Sequence, residues 1–81
     1  MKEGWLLDSD KEWAYRFHRD DKSWVRDPKV FCDLGKPLAS EPPLLKTRRH
    51  LRRSDAELLW KSLISQGWKP VKPLWGAQVD P

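Results

Sequence analysis

The fold is decided by residues 54–68, which read SDAELLWKSLISQGW. Apolar side chains recur there at intervals of three and four residues, the spacing of one buried stripe on an α-helix. The stripe consists of Ala56, Leu59, Trp60, Leu63 and Ile64. Ser54 and Glu57 match a capping box, which predicts that the helix begins with a side-chain cap at Ser54. Gly67 followed by Trp68 predicts a left-handed turn that ends the helix and returns the indole to the stripe.

A β-hairpin is predicted near the N-terminus. Residues 4–7 form a short apolar run, and residues 12–18 alternate, with Trp13, Tyr15 and Phe17 on one side. Alternation with a period of two is typical of a strand that buries one face. The polar residues between the two runs favour a turn, so we expect the runs to pair as neighbouring antiparallel strands.

Extended segments are expected on both sides of the helix. Residues 44–53 alternate weakly, which predicts a further strand that leads into the helix. Residues 68–75 contain two prolines. Because proline cannot donate to a central ladder, this segment is restricted to an edge strand or a polyproline-like tail, with Trp75 inserted against the core.

The chain has the length of one domain, residues 1–81. These elements predict an α+β fold, a small antiparallel β-sheet of about three to four strands with one amphipathic helix packed across it. Residues 35–43 contain a glycine and three prolines without apolar periodicity, which predicts an exposed connector. Residues 76–81 carry no anchoring pattern, so we expect a frayed tail.

Charge and cysteine content indicate the environment of the protein. The net charge is +4, but residues 1–35 carry −1 and residues 36–81 carry +5. An excess of positive charge in one half indicates an anionic partner. Cys32 is the single cysteine, which excludes an intramolecular disulfide and fits a reducing compartment. No apolar run exceeds three residues, so we expect neither a signal peptide nor a membrane span, and a cytoplasmic protein.

Several short motifs together resemble a known family. They are Gly-Trp-Leu at residues 4–6, Tyr-Arg-Phe at residues 15–17, the helix pattern Ala-x-x-x-Trp-x-x-Leu from Ala56, and Gly-Trp at residues 67–68. Over residues 4–18 and 47–75 the chain resembles a family of short uncharacterised proteins of marine cyanobacteria, the domain-of-unknown-function family numbered 1651. That family has no established activity. The resemblance therefore implies an origin and a fold unit, and it assigns no catalytic or binding residue.

The most basic segment of the chain is residues 46–53, KTRRHLRR, with five Lys or Arg side chains. One interpretation is a solvated strand whose cations balance nearby acids. A second is a non-enzymatic binding module, an adaptor or regulator that docks an acidic protein surface through this strand. A third is a nucleic-acid-binding domain that uses the same cations with a stacking tryptophan. A fourth is self-association through an open sheet edge.

The binding interpretations share one set of candidate residues. An exposed tryptophan near arginines suits either a nucleic-acid base or a protein hot spot, and two tryptophans lie outside the strongest periodic elements. The candidates are Lys46, Arg48, Arg49, His50, Arg52, Arg53, Trp24 and Trp75. Docking of an acidic protein partner is the leading hypothesis, and nucleic acid is the alternative.

Catalytic and metal-binding patterns are weak in this sequence. His18, His50 and Cys32 are isolated, without the short spacing of a metal site. The paired aspartates lie in predicted turns, and no glycine belongs to a phosphate-binding loop. Cys32 follows a phenylalanine and resembles a small buried hydrophobe more than a reactive thiolate. We therefore expect no enzyme activity, no cofactor, no metal and no small-molecule substrate.

Overall fold

Five strands and one helix form the protein in the computed structural model, which describes residues 4–38 and 43–75. The elements are β1 (Gly4–Leu7), β2 (Ala14–Arg19), β3 (Lys29–Lys36), β4 (Leu44–Arg52), α1 (Arg53–Ser65) and β5 (Lys69–Val71). The sheet order is β4-β3-β2-β1-β5, with every neighbouring pair antiparallel. The predicted α+β class is confirmed, whereas the predicted strand count of three to four was too low.

The strand that the sequence did not resolve is β3, the second strand of the sheet counted from the β4 edge. It pairs with β2 and β4 and buries side chains on both of its faces, so its sequence lacks the alternation of a half-buried strand. Gly35 and Lys36 belong to β3, and Gly35 is buried. The predicted exposed connector over residues 35–43 therefore began two residues too early. Its residues 39–42 lie outside the described residues, as does the predicted tail over residues 76–81.

The β1–β2 hairpin agrees with its prediction. Gly4 pairs with Phe17 and Leu7 with Ala14. In the turn, the Asp8 carboxylate accepts hydrogen bonds from the backbone N–H groups of Glu12 (2.8 Å) and Trp13 (3.2 Å). Aspartate favours turns because its short side chain can satisfy nearby backbone donors in this way.

The start of α1 differs from the predicted capping box. The helix begins at Arg53, and Arg52 occupies the N-cap position without a side-chain cap hydrogen bond. The backbone N–H of Arg53 donates instead to the carbonyl of Pro28, at 3.0 Å. Because β4 runs directly into the helix, a neighbouring loop satisfies this N-terminal donor, and Ser54 falls inside the first turn. The capping-box prediction was therefore wrong.

The end of α1 is the predicted left-handed turn. Gly67 has a φ of 98°, and its N–H donates to the carbonyl of Ile64 at 3.1 Å. The N–H of Trp68 reaches back to the carbonyl of Leu63, also at 3.1 Å, which completes a Schellman motif. The Trp68 ring then packs against Tyr15, with ring centroids 5.5 Å apart.

The sheet has a core on each face. On the α1 side the buried residues are Leu6, Phe17, Val30, Cys32, Ala56 and Leu63, with Tyr15, Leu51, Leu59, Trp60 and Trp68 packed around them. Ile64, the last member of the predicted stripe, is exposed. On the opposite face Trp5, Ala14 and Trp75 are buried against Leu7, Leu45 and Val71. The tail reaches that face by pairing β5 with β1 at the sheet edge, as predicted from its prolines.

Candidate binding site

Strand β4 carries the basic segment along one edge of the sheet. Within the described part of the chain β4 pairs only with β3, so its other edge has no strand partner. In an antiparallel ladder alternate residues direct their N–H and C=O groups away from the paired strand. The nine-residue β4 is also exposed or half-buried throughout its length. It therefore presents both backbone hydrogen-bonding groups and cations to the surroundings.

One basic residue of β4, Arg48, directs its guanidinium to a buried carboxylate. Asp33 in β3 has no exposed surface, and its carboxylate accepts from Arg48 Nε (2.7 Å) and Nη2 (2.9 Å). Nε2 of His18 donates to the same carboxylate at 2.8 Å. Burial by itself would raise the pKa of Asp33, but the hydrogen bonds and charges of Arg48 and His18 outweigh it and hold the pKa below its ordinary value. Arg48 therefore neutralises a buried carboxylate.

A stacked aromatic group extends this network toward His50. The Phe31 ring lies 4.7 Å from the His50 ring in a stacked arrangement, and the Arg48 guanidinium lies 4.6 Å from the Phe31 centroid. His50 Nε2 donates to the Asp20 carboxylate at 2.9 Å. The pKa of Asp20 is lowered, first by the backbone N–H of Lys22 and then by His50. His50 is thus held from two sides on the sheet face opposite α1.

The exposed cations of the basic segment are Lys46, Arg49, Arg52 and Arg53. Lys46 lies at the irregularity in the β3–β4 register, and its ammonium is 5.2 Å from the Trp13 ring centroid. Arg52 and Arg53 reach Asp27 and Glu57 at 3.6 and 3.5 Å. Such exposed ion pairs contribute at most about 1 kcal/mol each. An acidic partner that displaced these ion pairs would therefore lose little free energy in doing so.

The two candidate tryptophans have opposite environments. Trp24 is 82% exposed, in the loop between β2 and β3. Trp75 is only 8% exposed, with its ring edge-on to Trp5 at 4.3 Å. It approaches Gly35 so closely that a Cβ there would lie 3.3 Å from the indole, so the missing side chain of Gly35 provides its space. Trp75 is a core residue, which corrects its proposed place in a binding surface.

Asp33 and Phe31 are the residues of this network that sequence reasoning missed. The one signal for Asp33 was a charged residue inside the apolar run of residues 30–34, VFCDL. A buried acid requires a cation, but the partner lies fifteen residues away, and only the strand register identifies it. The sequence placed Arg48 in the binding set because it could not show that Asp33 occupies its guanidinium.

The described residues show no arrangement that could hold a metal ion and no helix with the length and hydropathy of a membrane span. Cys32 is buried, as predicted, and desolvation raises the pKa of its thiol to about 12. A thiol with that pKa is protonated at neutral pH and is a poor nucleophile.

The fold and the site together define a small α+β protein whose sheet has a basic edge strand. The chain belongs to the DUF1651 family, described as proteins of unknown function, whose profile matches residues 3–75. The resemblance seen in the sequence is thereby confirmed as family membership. No curated protein and no solved structure matches the chain.

Proposed function

We propose that this protein is a non-enzymatic binding module that holds an extended acidic segment of a protein partner as an added strand on β4. The observation that carries the proposal is the combination of an unpaired nine-residue strand edge with exposed cations, within the described residues. Strand addition uses main-chain hydrogen bonds for affinity and side chains for selectivity. At about 3.3 Å per residue, β4 offers an edge roughly 30 Å long.

The charge of β4 selects among strands that could pair with it. A second copy of β4 would place Lys46, Arg49 and Arg52 against the same cations, and like charges on facing strands are destabilising. Self-association through this edge is therefore disfavoured. An acidic strand would instead place carboxylates beside those cations, where opposite charges guide encounter and fix register. The same cations thus disfavour one partner and favour the other.

A protein partner fits the surroundings of β4 better than nucleic acid does. The nucleic-acid alternative uses Arg48 together with a stacking tryptophan, but Arg48 is paired with Asp33 and Trp75 is buried. The remaining tryptophan, Trp24, shares its loop with three carboxylates, Asp20, Asp21 and Asp27. A phosphate backbone is charged at every nucleotide and would meet these carboxylates, whereas a peptide can present an uncharged side chain to Trp24.

A cytoplasmic location and a cyanobacterial origin also remain predictions from the sequence.

A peptide-display selection tests the proposed partner. The full chain is immobilised and presented with random dodecapeptides, long enough to span the nine residues of β4 with a short overhang. We expect enriched peptides to be acidic, with carboxylates on both faces of the added strand, because Arg49 and Arg52 lie three residues apart on opposite faces of β4. Enrichment without acidic residues, or no enrichment, would contradict the proposal.

Two matched variants locate the binding edge. Lys46→Glu with Arg49→Glu reverses two exposed cations of β4, and Lys61→Glu with Lys72→Glu makes the same change in net charge elsewhere on the surface. We expect the β4 pair to weaken the enriched peptide at least tenfold and the control pair to change its affinity less than threefold. N-methylation of alternate peptide amides should abolish binding, because it removes ladder donors. If single-stranded RNA or DNA binds tighter than the peptide at about 150 mM salt, the nucleic-acid alternative is correct.

A further inference from the structure

The loop between β2 and β3 presents an apolar tip that the fold does not use. Trp24 is 82% exposed and Val25 is 96% exposed. Trp24 and Val25 are the first two residues of a tight turn, in which the N–H of Asp27 donates to the carbonyl of Trp24 at 3.0 Å. Apolar side chains gain stability when they leave water, so an exposed indole beside an exposed isopropyl group is a candidate contact with another molecule.

Hydrogen bonds hold this loop in place. Ser23 Oγ donates to the carbonyl of Asp20 at 2.7 Å and accepts from the N–H of Lys29 at 3.1 Å. The Asp20 carboxylate accepts from the N–H of Lys22 at 2.9 Å. The loop base is therefore ordered by its own polar groups, and Trp24 is exposed on a constrained backbone. A preorganised aromatic residue loses little conformational entropy when it binds.

A cavity of about 450 Å³ lies beside the tip, between the loop and the start of α1. Its apolar lining consists of Trp24, Val25, Pro28 and Val30. Its cations are Arg19, Lys29 and Arg53. Two acids also line it, but the carboxylate of Asp20 is engaged by His50 and that of Asp21 lies 3.5 Å from Arg19. Two of its cations also have acidic neighbours, since Lys29 lies 3.4 Å from Asp27 and Arg53 lies 3.5 Å from Glu57. The cavity therefore combines an apolar wall with a rim of ion pairs that an incoming carboxylate would have to displace.

The cavity adjoins the end of β4. Arg52, the last residue of β4, pairs with Lys29, which lines the cavity. Arg53, which follows Arg52 in the chain, lines it as well. A segment that pairs along the free edge of β4 would enter the cavity by turning across Arg53 beyond its last paired residue. Tryptophan and arginine are the side chains most enriched where a few contacts dominate the affinity of a protein interface.

We infer that the cavity beside Trp24 receives one bulky apolar side chain of the acidic segment that pairs with β4, with an acidic neighbour facing Lys29 and Arg53. This inference rests on the proposed function and adds the chemistry of the partner. The segment has carboxylates on both faces of the added strand, to meet Arg49 and Arg52, and a leucine-sized or aromatic anchor beyond its end. The acidic composition gives register, and the anchor gives affinity.

Trp24→Ala tests the anchor, with the most enriched display peptide as the probe. Both residues of the tip are exposed, so the variant is expected to fold. We expect Trp24→Ala to weaken the peptide about tenfold or more, a typical loss for a central interface tryptophan. Leu58→Ala, which truncates an exposed leucine on α1, is the matched control and should change the affinity less than twofold. Equal affinities for the wild type and Trp24→Ala would overturn the inference.

A double-mutant cycle shows whether the peptide anchor contacts Trp24. Replacement of the anchor by alanine should weaken binding to the wild type but have little further effect on Trp24→Ala, because both changes remove the same contact. Independent, additive losses would overturn the inference. If acidic peptides require Lys46 and Arg49 but not Trp24, the proposed function stands and the anchor fails. If no acidic peptide is enriched, the proposed function and the anchor fail together.

The indole N–H resonance of Trp24 gives a direct structural readout. It is assigned in a two-dimensional ¹H–¹⁵N spectrum by its loss in Trp24→Phe, and we expect it to shift with the peptide while the buried Trp5 signal moves little. A Trp24 signal that stays fixed at saturation would overturn the inference. Phosphatidylserine vesicles serve as a competing surface. Trp24-dependent binding to the vesicles without binding to the peptide would assign the tip to a lipid interface and overturn the peptide anchor.

Discussion

Asp33 and Arg48 show how strongly one residue depends on another in this fold. Arg48→Met keeps an unbranched apolar stem but removes the guanidinium, which leaves the Asp33 carboxylate buried with His18 alone. We expect a loss of about 3–5 kcal/mol in the free energy of unfolding, typical of an uncompensated buried charge. Arg49→Met, at the next and exposed position, should cost less than about 0.5 kcal/mol. Urea unfolding at neutral pH measures both values.

The double variant Arg48→Met with Asp33→Asn separates charge from packing. It removes the buried charge together with its partner, so we expect it to be more stable than Arg48→Met alone. The same comparison bears on the binding site. If Arg48 serves only the interior, the double variant keeps its affinity for the acidic peptide. A loss of affinity equal to that of Lys46→Glu with Arg49→Glu would place Arg48 in the binding surface.

The pKa of Asp33 also predicts how stability depends on pH. The folded-state pKa lies below its ordinary value of 3.8, so the unfolded chain takes up a proton first as the solution is acidified. The stabilisation is complete above the unfolded pKa and is lost as pH falls through the folded pKa. We expect the free energy of unfolding to decrease as pH is lowered below about 5. Asp33→Asn should reduce that slope, and equal slopes in the two proteins would contradict the assignment.

At the scale of one element, Gly67 explains why α1 ends where it does. Its φ of 98° lies in the region where an L side chain is strained, yet a Cβ there would meet no neighbouring atom. We therefore expect Gly67→Ala to cost about 1 kcal/mol, from backbone strain alone. Chemical synthesis with D-alanine at this position is the control, because a D residue favours positive φ. Thermal unfolding should show a stability at least equal to that of the wild type for the D-alanine protein.

The elements that were predicted correctly from the sequence are those determined by residues close together in the chain. The β1–β2 hairpin depends on the turn around Asp8, and the end of α1 depends on Gly67 and Trp68. The predicted start of α1 was wrong because β4 runs directly into the helix, so that Arg52 is the N-cap and the carbonyl of Pro28, 25 residues earlier in the chain, accepts from the N–H of Arg53. Strand β3 was unresolved because Asp33 interrupts its apolar run, and that charge is tolerated only beside Arg48.

At the scale of the whole molecule, the sheet separates two cores that sequence patterns did not distinguish. Periodicity identified the core beneath α1, since helix and hairpin each show one apolar face. The second core assembles from β1, β2, β4 and the tail, and it exists because the tail returns Trp75 to the sheet beside Gly35. No local pattern connects positions forty residues apart. The candidate site followed the same rule, since its cations were visible in the sequence, whereas the pairing of Arg48 with the buried Asp33 was not.

Trp75 tests whether the second core stabilises the whole domain. Trp75→Ala removes the side chain that packs on Trp5 in the second core, so we expect a loss of about 3–5 kcal/mol. The buried Nε1 of Trp75 has no hydrogen-bond partner among the described residues, and an unsatisfied buried donor is costly. Trp75→Phe removes that donor while it keeps most of the aromatic surface, so its loss should be much smaller, within about 1.5 kcal/mol.

Urea unfolding followed by tryptophan fluorescence and by far-ultraviolet circular dichroism measures both Trp75 variants. Because both cores share the strands of a single sheet, we expect the two probes to give one coincident transition in the wild type and in Trp75→Phe. In Trp75→Ala the single transition should move to lower urea with both probes. If circular dichroism were unchanged while fluorescence alone shifted, the second core would be a separate unit, and the α1 side would hold the sheet without it.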